Sequence, residues 1–302
     1  MSRFLTRQGE TVFVTGATGY VGSAVAARLC AAGYDVVGLT RQESQANALS
    51  EKGVRPVVGD ASDAALMVEA SAGAAAIVHT AAPNDPSRYD SMETMIAATA
   101  QVLETMVHVA RESGARLLAT SGTSIYGDTA GQIVDEDGPL QPMPGTEVLK
   151  DLEAQIIQGA HAHIIRLGVV YGGGESAPMR QFRRAIQDRG SLAVVNPDNR
   201  LSVVQIDDLA DLYQAILEAA DPPQVVNAVS EILPWPEVVD AIGKGGGIAG
   251  SPERIAVDEA MTLGGPAMFM PIDMAVSAAR AREQLDWRPH RQGFRGHFSV
   301  LA

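Results

Sequence analysis

Short apolar runs recur through the first half of the chain, each followed by a longer stretch with apolar positions at helical spacing. Thr11–Thr15, Asp35–Thr40, Val54–Val58, Ala74–His79, Arg116–Thr120 and His161–Arg166 are such runs. A strand covered on both faces reads as a continuous apolar run rather than an alternation, so these six predict strands of a parallel sheet. Between them the pattern predicts helices over about 20–32, 43–52, 62–72, 91–113 and 146–158, with Ser62 as the N-cap of the third. Regular alternation of strand and helix implies an α/β fold with a doubly wound parallel sheet, which binds its ligand at the carboxyl ends of its strands. After Arg166 the rhythm changes. Val169–Gly174 reads as a loop, 179–189 as a helix and 201–206 as a strand. Asp207 is expected to cap a helix running to Ala220. A short strand at 225–227 and helices at 235–242 and 277–285 follow. The glycine-rich stretch 243–250 lacks the Lys-Ser/Thr ending of a P-loop and reads as a connection. The Met-rich stretch 261–274 reads equally as core filler or as an adaptable lid.

The first strand–helix junction carries the clearest chemistry. Gly16, Gly19 and Gly22 recur at every third position between strand and helix, and Gly33 is placed to end that helix. Gly16 permits the tight turn, Gly19 lets backbone N–H groups approach a pyrophosphate, and Gly22 lets the helix pack closely on the sheet. An anion there meets the positive end of the helix dipole. In this strand–turn–helix–strand setting the triplet predicts a dinucleotide site. The second strand ends Leu39-Thr40-Arg41, with no acid before Glu43 to accept a ribose 2′-OH. Arg41 offers instead a planar fork of donors suited to a 2′-phosphate, which predicts NADP(H). Asp60, just after the third strand, is placed to accept a hydrogen bond from adenine.

Composition narrows the partners. A net charge of −13 argues against nucleic acid or an anionic membrane surface. The single cysteine, Cys30, excludes an internal disulfide. A polar stretch over Met1–Glu10 and the lack of a long apolar run predict a cytoplasmic protein with a small-molecule substrate.

Taken together, the motifs resemble the extended or atypical short-chain dehydrogenases/reductases of the epimerase/dehydratase type. The resemblance rests on Thr15-Gly16-Ala17-Thr18-Gly19-Tyr20-Val21-Gly22, Gly59-Asp60, His79-Thr80-Ala81-Ala82 and Ser124-Ile125-Tyr126-Gly127. Arg166-Leu167-Gly168-Val169-Val170-Tyr171-Gly172, Val204–Ala210 and the closing Ala281–Pro289 extend it over nearly the whole chain. It implies a Rossmann domain over residues 1–170, with later segments near 200–230 returning to it, and a substrate-binding lobe formed mainly by 171–302. It also implies cofactor contacts from Gly16, Thr18, Gly19, Tyr20, Val21, Gly22, Arg41, Asp60, Ala61, Ala81, Ala82, Lys150, Gly168 and Val169. A homodimer through the helices at 91–113 and 146–158 would match many members of that family.

The resemblance breaks at the active centre. The family uses a Tyr-x-x-x-Lys pair, a Ser or Thr near the end of the fifth strand, and often an Asn on the preceding helix. Lys150 fits, but Thr146 stands at the tyrosine position, Gly122 at the serine position and Met95 at the asparagine position. A threonine hydroxyl is too short and too weakly acidic to replace a phenol. Thr123, Ser124 and Lys150 are therefore the catalytic candidates, with Tyr89, Tyr126, Tyr171 or a held water as alternative proton donors. Three readings stay open: an NADP(H)-dependent reductase with an atypical proton donor, a non-redox lyase, isomerase or cyclase, and a non-catalytic NADP(H) sensor. His161 and His163 share one strand face without a third ligand, so no metal is expected, and His79 reads as a core histidine.

Overall fold

The computed structural model describes residues 9–81, 92–143, 147–159, 161–174, 176–291 and 293–299. The first half runs β1 (Thr11–Thr15), α1 (Tyr20–Ala31), β2 (Asp35–Thr40), α2 (Glu43–Ser50), β3 (Arg55–Val58), α3 (Ala64–Ala70), β4 (Ala76–His79), α4 (Met92–Ser113), β5 (Arg116–Gly122), α5 (Val148–Gly159) and β6 (Ala162–Leu167). The second half runs β7 (Val169–Tyr171), α6 (Ala177–Arg189), β8 (Ala193–Val194), β9 (Arg200–Gln205), α7 (Ile206–Glu218), β10 (Val225–Ala228), β11 (Glu231–Pro234), α8 (Trp235–Lys244), β12 (Glu253–Arg254), α9 (Val257–Leu263), α10 (Ala279–Gln284) and α11 (Phe294–Ser299).

The central sheet has seven strands in the order β10-β6-β5-β4-β1-β2-β3. β1 lies between β2 and β4 and is parallel to both. The chain winds outward in one direction through β2 and β3 and in the other through β4, β5 and β6. The order therefore reverses beside β1, where sheets of this kind bind ligand. The expected doubly wound α/β architecture is present.

Two compact units divide the chain. The first comprises Met1–Ser121, Val148–Ile165 and Ala210–Val226, and the second Gly122–Glu147, Arg166–Leu209 and Asn227–Ala302. The first has a core built from strand residues such as Phe13, Val37, Ile77 and Leu117 against Met106, Val109 and Ile156 of α4 and α5. The second gathers Tyr171, Phe182, Trp235, Ile242, Phe294 and Phe298 around a three-stranded sheet ordered β11-β9-β7.

Local chemistry explains several boundaries. Gly33 ends α1 at φ +91°, while Tyr34 N–H reaches back to Leu29 O at 3.1 Å, closing the helix as its position predicted. Two expected caps are corrected. Asp63, not Ser62, caps α3 by accepting from Leu66 N–H, because the Ser62 hydroxyl turns instead to Asp60 Oδ1 at 2.8 Å. Gln205, not Asp207, serves the start of α7: its Oε1 accepts from the N–H groups of Asp207 and Asp208 at 2.5 and 3.0 Å. The Asp208 carboxylate is instead taken by the N–H groups of His290 and Arg291. The expected loop at 169–174 is also corrected. Its Val-Val-Tyr start forms β7 and pairs in parallel with β9, since β-branched and aromatic side chains suit that half-buried edge. The Met-rich stretch divides: Met270 and Met274 are core, whereas Met261 and Met268 are 46% and 41% exposed.

Candidate functional site

The site begins at the turn between β1 and α1, in the first unit. Gly16 sits at φ +74°, and a Cβ there would press on Ala81 N and Thr80 Oγ1. A Cβ on Gly22 would collide with the carbonyl oxygen of Gly16 and the Thr80 hydroxyl. Gly19 is different. Its backbone is extended (φ −78°, ψ 172°), a conformation any residue adopts, and among the described residues a Cβ there would meet Gly16 O alone, at 3.1 Å. Gly16 and Gly22 are thus glycines for the fold, whereas the bare backbone at Gly19 leaves space above the turn. Gly19 gives α1 no side-chain cap, and the first turn holds no acidic residue. Tyr20, Val21 and Gly22 open the helix, and Thr18 is exposed beside them. An uncapped N-terminus with open space over a glycine fits an anion such as a pyrophosphate.

Thr80 belongs to the His79–Ala82 motif, and the structure shows what its hydroxyl does. Its hydroxyl donates to Thr15 O at 2.8 Å and fills the space that the two packing glycines leave. Ala81 supplies the backbone N–H that faces Gly16, and Ala82 lies outside the described residues. Arg41 follows β2, exposed and engaging no other described residue. Asp60 is exposed too, with Oδ1 holding Ser62 N–H at 3.0 Å and its hydroxyl at 2.8 Å, which leaves Oδ2 open. Ala61 is half-buried beneath the same turn. Lys150 is exposed on α5. Thr146 and Tyr89 lie outside the described residues, as does the side chain of Met95.

In the second unit β5 runs out through Gly122 into a short 3-10 turn, Thr123–Tyr126. Thr123 is 1% exposed and its hydroxyl faces the sulfur of Met274 at 3.9 Å. Ser124 is half-exposed. Gly122 has extended backbone, and the first atom a Cβ there would meet is Ser124 Oγ, 3.4 Å away. The Ser124 hydroxyl therefore lies beside the direction in which a side chain at position 122 would point.

Two tyrosines considered as proton donors are otherwise engaged. The Tyr126 hydroxyl donates to Asn227 Oδ1 at 2.9 Å and accepts from Arg166 at 2.7 Å. Burial pushes its pKa up despite the nearby guanidinium. The Tyr171 hydroxyl donates to Glu231 Oε1 at 2.9 Å, and burial, reinforced by that carboxylate, also pushes it up. Arg166, Asn227 and Glu136 surround Tyr126 as a buried polar group that no sequence spacing announced. Gly168 packs against β9, where a Cβ would come within 2.8 Å of Ser202 O, and Val169 pairs with Val203.

His79 is buried, with its pKa lowered by desolvation to about 4, so it is a neutral core residue at ordinary pH. His163 is likewise buried and holds Pro223 O through Nδ1 at 2.9 Å. Among the described residues no helix is long and apolar enough to cross a membrane.

A doubly wound sheet with a glycine turn at its switch point defines the class as a dinucleotide-binding α/β protein. The pattern of the NAD dependent epimerase/dehydratase family matches residues 12–228, and the chain belongs to that family. An uncharacterized protein of Schizosaccharomyces pombe is 30% identical over 285 residues, covering 92% of this chain and 94% of the relative. A dTDP-4-dehydro-6-deoxy-D-allose reductase of Streptomyces is 24% identical, covering 93% and 92%. Among solved structures, the Bordetella bronchiseptica enzyme WbmG in complex with NAD and UDP superposes with a TM-score of 0.77 at 18% identity, covering 97% and 94%. At that identity the likeness is one of fold. Family membership supports a nicotinamide cofactor.

Proposed function

We propose that the protein is an NADP(H)-dependent oxidoreductase acting on a small carbonyl or hydroxyl compound. The observation that carries this reading is the pairing, in one unit, of an uncapped glycine turn with an exposed Arg41 where an acid would select NAD. The turn from Gly16 to Gly22 would hold the pyrophosphate, Arg41 the 2′-phosphate, Asp60 the adenine and Lys150 the ribose. When bound, the cofactor supplies a hydride to a carbonyl carbon, or accepts one from a carbinol carbon. Ser124, with Thr123 behind it, donates a hydrogen bond to the substrate oxygen. A hydroxyl does not ionise readily, so the proton reaching that oxygen comes from water through Ser124 rather than from a phenolate pair. The raised pKa values of Tyr126 and Tyr171 favour this route over either tyrosine.

Four arginines of the second unit are paired with the chain's own carboxylates, which agrees with a small uncharged substrate. Arg189 is held by Glu253 and Glu259, Arg200 by Asp273, Arg280 by Asp137, and Arg295 by Glu237. The reductase of Streptomyces among the relatives agrees with a reductive role.

The threonine at position 146 favours a second reading. Without a phenol there, the same fold can serve a non-redox lyase, isomerase or cyclase, or bind NADP(H) as a sensor. The test is NADPH oxidation, followed at 340 nm, over a panel of aliphatic, aromatic and sugar carbonyls. Oxidation of NADPH by any of them supports the reductase. Tight NADPH binding without oxidation across the panel supports the second reading.

A further inference from the structure

The polar group around Tyr126 is buried, and the tyrosine hydroxyl is held from two sides. Tyr126 is the last residue of the turn that carries Thr123 and Ser124. Its hydroxyl uses both of its functions, donating to Asn227 Oδ1 at 2.9 Å and accepting from Arg166 Nη1 at 2.7 Å. The Arg166 guanidinium carbon also lies 5.0 Å from the centre of the Tyr126 ring. Asn227 is fixed in turn: its Nδ2 donates to Ser277 O at 3.0 Å, and its backbone N–H donates to Glu136 Oε1 at 2.8 Å. Tyr126, Arg166, Asn227 and Glu136 are all buried, and all belong to the second unit.

A buried cation beside a phenol is an expensive arrangement unless every donor and acceptor is met. An aliphatic residue would fill such a place in a core at lower cost. We propose that Arg166, Tyr126 and Asn227 are positioning residues, which hold the C-terminal end of the 3-10 turn and so fix the direction of the Ser124 hydroxyl. The inference rests on the reading of Ser124 as the donor to the substrate oxygen. Arg166 is the last but one residue of β6 and Asn227 lies within β10, so the turn is tied at its tyrosine to strand residues rather than to a loop. Gly127, next in the chain, sits at φ +66°, a left-handed conformation that ends the turn at Tyr126. The turn thus has one anchored end, and a hydroxyl displaced by about 1 Å loses about 10²-fold in rate.

The experiment compares Tyr126→Phe and Asn227→Ala with the unmodified protein in three measurements. These are amide hydrogen exchange of the peptide covering 122–127, NADPH affinity by fluorescence titration, and steady-state kinetics with NADPH and the fastest carbonyl of the panel above. The expected result is exchange of that peptide faster by about tenfold, NADPH affinity and KM within about twofold, and kcat lower by about tenfold or more. Because a smaller folded fraction would also lower kcat at constant KM, kcat is taken per NADPH-binding site counted in the titration, which removes any loss of folded protein from the comparison. Should Tyr126→Phe fail to fold, Arg166→Lys keeps the cation and loses the fork, and the same split is expected of it in weaker form. Unchanged exchange, or faster exchange with unaltered kcat, overturns the proposal. If no carbonyl of the panel supports NADPH oxidation by the unmodified protein, the reductase reading fails instead. The exchange measurement then decides by itself whether the three residues hold the turn, with unchanged exchange overturning that as well.

Discussion

The Thr15 hydroxyl lies 2.8 Å from Nδ1 of His79, at paired positions that end β1 and β4. The two strands on either side of the switch point are thus pinned together at their carboxyl ends, directly below the glycine turn. His79 is buried and neutral, its pKa lowered by desolvation to about 4 from 6.5. Between those values the unfolded chain binds a proton that the folded chain does not. Stability from this residue is fully present above pH 6.5, falls as pH drops towards 4, and changes no further below. The span corresponds to about 3 kcal/mol. Denaturant unfolding from pH 7.5 to 4 should show a shallower acid loss for His79→Gln than for the unmodified protein. Parallel curves would mean that His79 does not carry this loss.

Arg41 is expected to select the cofactor. Arg41→Ala should weaken NADPH by about 1.5–3 kcal/mol, as for a lost charge-assisted hydrogen bond, and leave NADH nearly unchanged. Titration of both cofactors into both proteins checks it. Equal affinities for NADPH and NADH in the unmodified protein would end the NADP(H) reading.

The glycines of the first turn should separate into two kinds. Gly22→Ala should lower stability by about 1–3 kcal/mol, because its Cβ collides with the Gly16 carbonyl. Gly19→Val should fold with a small shift of the Gly16 carbonyl, since its backbone is extended and its Cβ would lie 3.1 Å from Gly16 O, but lose dinucleotide affinity by on the order of a hundredfold. Thermal melts paired with NADPH titrations distinguish them. A folded Gly19→Val protein with normal NADPH affinity would show that the cofactor does not pass over this turn.

Ser124 can be tested by relocation. Ser124→Ala should lower kcat by about 10²-fold, the range for losing a donor to a developing oxyanion. Gly122 has extended backbone, and the described atoms nearest its missing side chain are Ser124 Oγ at 3.4 Å and Ser124 N at 4.0 Å. Adding Gly122→Ser to Ser124→Ala should therefore place a hydroxyl in nearly the same space and recover about tenfold. A Ser124→Ala protein with full activity would remove Ser124 from the mechanism.

The sequence by itself determined the sheet and its glycine turn. Buried parallel strands must be apolar along their whole length, and a helix meeting a pyrophosphate needs glycine at set positions, so both leave a local trace from Thr11 to Arg41. Short elements left none: β7, β8, β11, β12, α9 and α11 owe their form to partners far away in the chain. Phe294 of α11, for example, takes its place from the Tyr171 ring, 5.0 Å between centres. Caps were misplaced at Ser62 and Asp207 because a neighbouring side chain, Asp63 or Gln205, competed for the same N–H groups. Only the tertiary structure decided that Tyr126 and Tyr171 are engaged, that Thr123 is buried against Met274, and that Ser124 stands beside Gly122. A hydroxyl's availability depends on what packs around it, and here Arg166, Asn227 and Glu231 arrive from strands distant in sequence.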